Sequence, residues 1–362
     1  MIKKITNGFS AVLKPQNPIN FPLQLNIEIT NACNFDCVTC CRKEKLIDEK
    51  ITFIDQKILY KNIEQINPEY VSIAGLGEPF LHPKIFDFLK FFKEKRINAS
   101  ITTNGSTLSS DANNIVDSCL KVVTISIDST ISETYKKIRG KDYLGLIIEG
   151  IKKINELKKQ KKKNFPQLSI HFVIQKLNYK EVDEIFKLAK KLNITMLYYI
   201  PIEIIQGSKV DKEKHNNIDY NWLINKLNEI RHKSYKDNIN TNLKIWERDK
   251  NYLYYKYNLN EIKTAPLMNR PCVRLWISAY IDVKGNVYPC CIPVFYPQNK
   301  QYIMGNINEL KFKEIWNNKK YIAFRNNIGS GKKSFDCCKN CVPLKLTDKI
   351  SFFQKRKMFN NG

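Results

Sequence analysis

At 362 residues and a formal charge of +25, the chain can bury a barrel-sized core and a smaller second domain. Its eleven cysteines are an odd number, which argues against a disulfide framework, and the polar stretch Met1–Ser10 argues against a secretory leader. No apolar run is long enough to span a membrane, so a cytoplasmic protein is expected, in a compartment that keeps thiols reduced.

The first strand signal is Leu23–Thr30, where Leu23, Leu25, Ile27 and Ile29 alternate with Gln24, Asn26, Glu28 and Thr30. Directly after it stand Cys33, Cys37 and Cys40, in the order C-x3-C-x2-C. Three thiolates so spaced can bond three irons of a cubane cluster. The fourth iron is then open to chelate a small molecule and pass it an electron. Zinc also favours short cysteine spacings, but a structural zinc site wants four ligands. Cys41 adjoins Cys40 and is a poor fourth ligand, and the next cysteine is Cys119. Metal softness and the missing ligand favour a cluster.

A second strand, Tyr70–Ala74, leads into Gly75-Leu76-Gly77-Glu78-Pro79. Gly77 leaves bare backbone in this turn, and Glu78 places an acceptor carboxylate beside it. A third strand, Asn98–Thr103, ends at the turn pair Asn104-Gly105. A fourth, Val122–Ile127, ends in Ser126-Ile127-Asp128, and Tyr135 and Arg139-Gly140 follow. Tyr143–Leu157 reads as a helix with Leu144, Ile147, Ile151, Ile154 and Leu157 on one face. Gln167–Ile174 and Thr195–Ile200 complete six strands. Taken singly, each turn is an ordinary strand-to-helix connection. Six strands alternating with helices imply a parallel sheet with right-handed crossovers. Sites in such folds collect at the carboxyl ends of the strands, where each of these motifs falls.

The polar segment Ile202–Ala265 carries a helical pattern around Trp222–Arg231 and reads as a linker that shapes a substrate mouth. Beyond it, Cys272 and Cys290 frame Gly285 as C-x12-G-x4-C. Leu275–Asp282 and Val287–Cys290 read as a hairpin turning at Val283–Asn286. Cys338 and Cys341 form a C-x2-C pair. Together these offer four thiolates, enough for one cluster or one zinc, and the spacing does not choose between them. Cys337 is an alternative ligand to its neighbour Cys338. Cys41, Cys119, Cys291 and Cys337 are read first as small buried hydrophobes.

In this order, the triplet, Gly75–Pro79, Asn104-Gly105 and Ser126–Asp128 resemble the signature of the radical S-adenosylmethionine (radical SAM) enzyme superfamily. The resemblance implies a [4Fe-4S] cluster on Cys33, Cys37 and Cys40, with S-adenosylmethionine held by Gly77, Glu78, Pro79, Asn104, Ser126 and Asp128. Leu76 departs from the family's G-G-E-P segment. Thr39 stands where many members place an aromatic residue against the adenine, so Tyr198 or Tyr199 is the expected substitute. The later cysteines, with Trp276, Ile315-Trp316-Asn317 and Arg325, resemble the SPASM/twitch extension. With no cysteine after Cys341, the shorter twitch form is expected. It would carry one auxiliary [4Fe-4S] cluster on Cys272, Cys290, Cys338 and Cys341, as an electron relay or sink.

The implied fold is α/β, a partial (β/α)6 TIM-type barrel with a small C-terminal α+β cluster-binding domain. The expected divisions are a lead-in at 1–22, the barrel at 23–205, a linker at 206–265 and the auxiliary-cluster domain at 266–362. The implied activity is reductive cleavage of S-adenosylmethionine to a 5′-deoxyadenosyl radical, which takes hydrogen from a substrate carbon. The expected outcome is oxidation or epimerisation of a sugar, cyclitol or related small metabolite, anionic or carbohydrate-like, with a flavodoxin or ferredoxin as electron donor. An alternative is a maturase of a ribosomally made peptide, although about 22 residues before the first strand are too few for a peptide-recognition domain. A reading from another class is a zinc-stabilised nucleic-acid-binding module, which the charge would suit. The lysines, however, are spread through the chain beside heavy asparagine and isoleucine use. That pattern suggests an AT-rich genome with lysine on solvated faces. The sequence names neither a catalytic base nor a hydrogen donor.

Overall fold

The computed structural model describes residues 21–40, 42, 50–202, 217–243, 272–295, 299–329 and 335–339; Cys41, Trp246 and Cys341 lie outside them. In chain order the first elements are β1 (Gln24–Ile27), α1 (Gln56–Ile66), β2 (Tyr70–Ile73), α2 (Ile85–Glu94), β3 (Asn98–Thr103), α3 (Leu108–Asp117) and β4 (Leu120–Ser126). There follow α4 (Ser132–Arg139), α5 (Leu144–Gln160), β5 (Gln167–Ile174), α6 (Val182–Lys191), β6 (Met196–Pro201), α7 (Tyr220–Lys236) and β7 (Asn240–Thr241). The C-terminal part holds α8 (Arg274–Ile277), β8 (Ser278–Ile281), β9 (Asn286–Tyr288), β10 (Gly305–Asn306), α9 (Phe312–Trp316), α10 (Lys319–Gly329) and α11 (Asp336–Lys339). This strand–helix alternation with parallel pairing is the α/β arrangement of a partial (β/α)6 TIM-type barrel. Among the described residues no helix is long and apolar enough to cross a membrane.

The chain divides into two units. One comprises residues up to Asn31, Ile51–Gly75 and those from Lys263 onward; the other comprises Ala32–Lys50 and Leu76–Ile262. In the first, strands run β10-β9-β8-β1-β2, with β1 parallel to β2 on one side and to β8 on the other. β8, β9 and β10 pair antiparallel. Leu25 and Ile27 of β1 are fully buried beside Val71 and Ile73 of β2. α1 begins where the Asp55 carboxylate accepts from the Ile58 N–H and ends at Asn67, in the left-handed region. Its buried Leu59, Ile63 and Ile66 recur at helical spacing.

In the second unit β3, β4, β5, β6 and β7 pair in parallel. Ile101, Ile125, Ile170, Phe172, Leu197 and Tyr199 occupy one buried face of these strands. The helices supply Phe88, Leu89, Ile115, Ile147, Ile151, Ile185 and Phe186 to the same core. Each fully buried side chain of this size contributes about 1.5–3 kcal/mol. The opposite strand face is largely polar, with Val122, Val173, Met196 and Ile200 set among its hydroxyl and ring side chains. Thr124 and Ser169 share a 2.7 Å hydroxyl bond there.

β3 and β5 coincide with their predicted spans, β2, β4 and β6 lie within two residues of theirs, and β1 and the first arm of the C-terminal hairpin depart further. β1 stops at Ile27, and Thr30 instead bridges antiparallel to Phe53, with its hydroxyl donating to the Thr52 carbonyl. The first arm of the C-terminal hairpin begins as the helical turn α8, because Leu275-Trp276-Ile277 has neither a strand nor a helix period.

Candidate active site

Cys33, Cys37 and Cys40 lie on the loop that follows β1 and are half-buried. Two contacts fix this loop to the end of α4. The Val38 N–H donates to the Ile138 carbonyl at 2.9 Å. At Gly140, which caps α4 with φ +79°, an added Cβ would stand 2.8 Å from the Asp36 carbonyl oxygen. Only glycine accepts both that dihedral and that approach. The Asn104 amide donates toward Cys33 Sγ at 3.9 Å and Arg139 Nη1 toward Cys37 Sγ at 3.7 Å. Burial pushes both thiols up, against the Phe35 backbone bond at Cys33 and the Arg139 charge at Cys37.

Among the described residues no three His, Cys, Asp or Glu side chains converge to hold a single metal ion. Cluster ligands, by contrast, are spread over separate irons, and N–H donors at their sulfurs are the usual tuning elements. Three half-buried thiols with N–H donors directed at two of them form a donor set that an iron–sulfur cluster would fit.

Glu78 follows the second strand and caps the 3-10 turn Pro79–Leu81. Its Oε1 accepts from the Phe80 N–H at 3.1 Å and the Thr103 hydroxyl at 2.7 Å, and its Oε2 from the Asn104 N–H at 2.6 Å. Burial pushes its carboxyl up to about 7 despite these three donors. Asn104 is the junction of the site, since its side chain also donates to Asn34 Oδ1 at 2.8 Å and accepts from the Ser106 N–H. Gly77 is half-buried and Pro79 buried.

Asp128 is buried, and both its oxygens are engaged. Oδ2 meets Arg139 Nη2 at 2.6 Å, and Oδ1 accepts from the Val173 N–H at 2.8 Å. Burial works against the Arg139 charge, but Asp128 and Cys37 hold the guanidinium protonated. Ser126, His171 and Tyr198 face one another in register across β4, β5 and β6. The His171 and Tyr198 rings meet edge-on at 4.9 Å. This row lies on the polar strand face, away from the helices. Burial, then the Arg139 charge, lowers the His171 imidazole to about 4, so it is neutral at physiological pH. Of the two expected adenine neighbours, Tyr199 is unsuited: it is fully buried on the helix-facing side, its hydroxyl bonded to the Val182 carbonyl at 2.8 Å. Alternation along β6 leaves Tyr198 on the polar face.

The sequence pointed to neither His171 nor the buried role of Arg139. A lone histidine in a strand carries no signal of its own, and Arg139, noted in the sequence beside Gly140, carried no sign that its charge would be buried. The only cue was that strand alternation places Ser126, His171 and Tyr198 on matching faces.

In the other unit, Cys272, Cys290 and Cys338 are half-buried, and Cys337 is buried at 1% exposure. The fourth expected ligand, Cys341, lies outside the described residues. The hairpin turn is set by Gly285 at φ +82° and by Asp282, which accepts from the Lys284 and Asn286 N–H groups. Arg325 is fully buried. It donates to the Leu275 and Trp316 carbonyls at 3.1 and 2.8 Å and lies over both the Trp316 and Tyr321 rings. The residues singled out beside the cysteines, Trp276, Trp316 and Arg325, thus form the packing frame of this unit.

Comparison with known proteins agrees with this geometry. A family model for the radical SAM superfamily matches residues 27–189, and one for the SPASM iron–sulfur cluster-binding domain matches 272–342. The chain is 23% identical over 323 residues to the tungsten-containing aldehyde ferredoxin oxidoreductase cofactor-modifying protein of Pyrococcus furiosus, covering 83% of this chain and 82% of that protein. It is 24% identical to the AdoMet-dependent heme synthase of Methanosarcina barkeri, covering 83% of each. Among solved structures, Streptococcus suis SuiB bound to S-adenosylmethionine shares the fold with a TM-score of 0.66 at 21% identity, over 94% of this chain and 77% of that one. SuiB bound to its precursor peptide SuiA gives the same TM-score. Radical SAM domains bind a [4Fe-4S] cluster and S-adenosylmethionine, and SPASM domains bind auxiliary iron–sulfur clusters. The chain belongs to the radical SAM superfamily and carries a SPASM domain on its C-terminal side.

Proposed function

We propose that Cys33, Cys37 and Cys40 hold the catalytic cluster, and that the enzyme removes hydrogen from a carbon of a small polar metabolite. When bound, the reduced cluster and S-adenosylmethionine supply a 5′-deoxyadenosyl radical, and the chemistry of that step is the cofactor's. The chain's own residues position and exclude. Glu78 and Asn104 offer acceptors for the methionyl end of the cofactor, with Gly77 and Pro79 shaping the backbone around it and Ser126 and Asp128 in reach of its ribose side. Cys272, Cys290, Cys338 and Cys341 would hold the auxiliary cluster, whose chemistry there would be that of an electron relay or sink.

The observation that carries the small-molecule reading is the polar strand face with Ser126, His171 and Tyr198 in one row. It offers hydrogen-bonding groups to a hydroxylated or aminated substrate, and the chain's positive charge suits an anionic one. The two relatives matched over most of their length are named for modifying a cofactor and for making heme, which widens the substrate class beyond sugars and cyclitols. A peptide substrate is the second reading, favoured by the SuiB fold with its precursor peptide bound. Family membership leaves the zinc-stabilised nucleic-acid module without support.

The test is metal and sulfide content after anaerobic reconstitution, followed by reduction and assay for 5′-deoxyadenosine. About eight irons per chain and deoxyadenosine formation are expected. In a Cys33→Ser, Cys37→Ser, Cys40→Ser variant about half the iron and all of the deoxyadenosine should disappear. Zinc in place of iron, or cleavage that survives this triple substitution, would sink the reading. Deuterium carried from a labelled small metabolite, or from a labelled peptide, into deoxyadenosine separates the two substrate classes.

A further inference from the structure

We infer that Arg139, clamped by Asp128, is a positioning residue that sets the reduction potential of the cluster by donating a charged N–H to Cys37. The inference rests on the reading of Cys37 as a cluster ligand. Its basis is a chain of three groups in contact. Arg139 Nη1 stands 3.7 Å from Cys37 Sγ, and Nη2 stands 2.6 Å from Asp128 Oδ2, with the two side chains 11% and 2% exposed. Asp128 is itself fixed, its second oxygen taking the Val173 N–H and its carbonyl taking the Asn178 amide. The backbone beside Arg139 is held in turn, because Gly140 brings the end of α4 close to the Asp36 carbonyl.

A buried cation at a ligating sulfur favours the cluster state that carries one more electron, so it raises the potential. The Asp128 carboxylate partly cancels that field. In this buried setting neither charge is screened as it would be in water. Removing one partner or the other therefore moves the potential in opposite directions. A merely structural pair, once broken, would not produce that result.

The experiment is a potentiometric titration followed by electron paramagnetic resonance on the full reconstituted chain, without S-adenosylmethionine. The auxiliary cluster in the same sample serves as reference. Arg139→Met is expected to lower the equilibrium constant for reduction of the first cluster about tenfold, about 59 mV for a one-electron couple. Asp128→Asn is expected to raise it, and Arg139→Lys, which keeps the charge, to stay closer to the wild-type value. An unmoved potential in both Arg139→Met and Asp128→Asn would overturn the inference, as would shifts of the same sign. Weakened S-adenosylmethionine binding with unmoved potentials would instead assign the pair to the cofactor. If Arg139→Met assembles no cluster, the Asp128→Asn and Arg139→Lys shifts decide. Absence of iron from the wild-type triplet would remove the underlying reading as well, an outcome distinct from iron bound at an unchanged potential.

Discussion

The carboxyl of Glu78 makes a pH prediction with a definite sign. Its folded value is about 7 against an ordinary 4.5, because burial outweighs the donors from Asn104, Thr103 and Phe80. A raised carboxyl favours the protonated folded form, so its contribution to stability is complete below about pH 4.5 and is lost as pH rises through about 7. The size is two and a half pH units at about 1.4 kcal/mol each, about 3 kcal/mol. Glu78→Gln removes this slope. It also turns an amide N–H₂ toward the Phe80 and Thr103 donors or toward the Asn104 N–H, costing about 1–3 kcal/mol at every pH. Urea unfolding of metal-free protein between pH 5 and 8 reads both effects. If the carboxylate also receives the methionyl ammonium, S-adenosylmethionine affinity should fall about tenfold per pH unit below 7 and level off above it. Wild-type stability and affinity that are both level from pH 5 to 8 would refute the reasoning, as would a Glu78→Gln protein with an unchanged slope.

Gly140→Ala places a side chain in the left-handed region and against the Asp36 carbonyl. It should cost about 1–3 kcal/mol and loosen the cysteine loop, seen as faster loss of iron to a chelator. Cys338→Ser should lose the auxiliary iron while Cys337→Ser keeps it, since Cys337 is buried and Cys338 is half-exposed; iron counts on the two variants decide. Arg325→Met leaves the Leu275 and Trp316 carbonyls without their donor. It should destabilise the SPASM unit by about 2–5 kcal/mol, measured by denaturation, with the first cluster's spectrum unchanged.

Local pattern and spacing made much of this readable. The alternations in Asn98–Thr103 and Gln167–Ile174 specify strands because one face of each is apolar and core-facing, and the structure keeps those bounds. Asn104 could be placed in a turn from its Asn-Gly pair at a strand end, whereas Glu78 stood out through the resemblance of Gly75–Pro79 to the family's segment. Three features were not readable. β7 is a two-residue strand, too short to carry a period. The pairing of β8 with β1 joins segments that nothing local connects. The fate of a charged side chain depends on its partners, so nothing within Ser132–Arg139 marks Arg139 as the charge that is buried against Asp128. Tyr198 and Tyr199 looked equivalent as ring donors, and only the orientation of β6 separates them.

The parallel partnership of β1 and β8 has a consequence during synthesis. Asn26 donates to the Ala279 carbonyl across 253 residues of sequence. At the usual 5–20 residues per second, the ribosome needs about 13 to 50 s to supply that partner after β1 has emerged. For that time β1 has an open hydrogen-bonding edge with Leu25 and Ile27 on it, the kind of surface that recruits neighbouring nascent chains. Chains interrupted before Ser278 never receive the partner, and they should accumulate in the insoluble fraction.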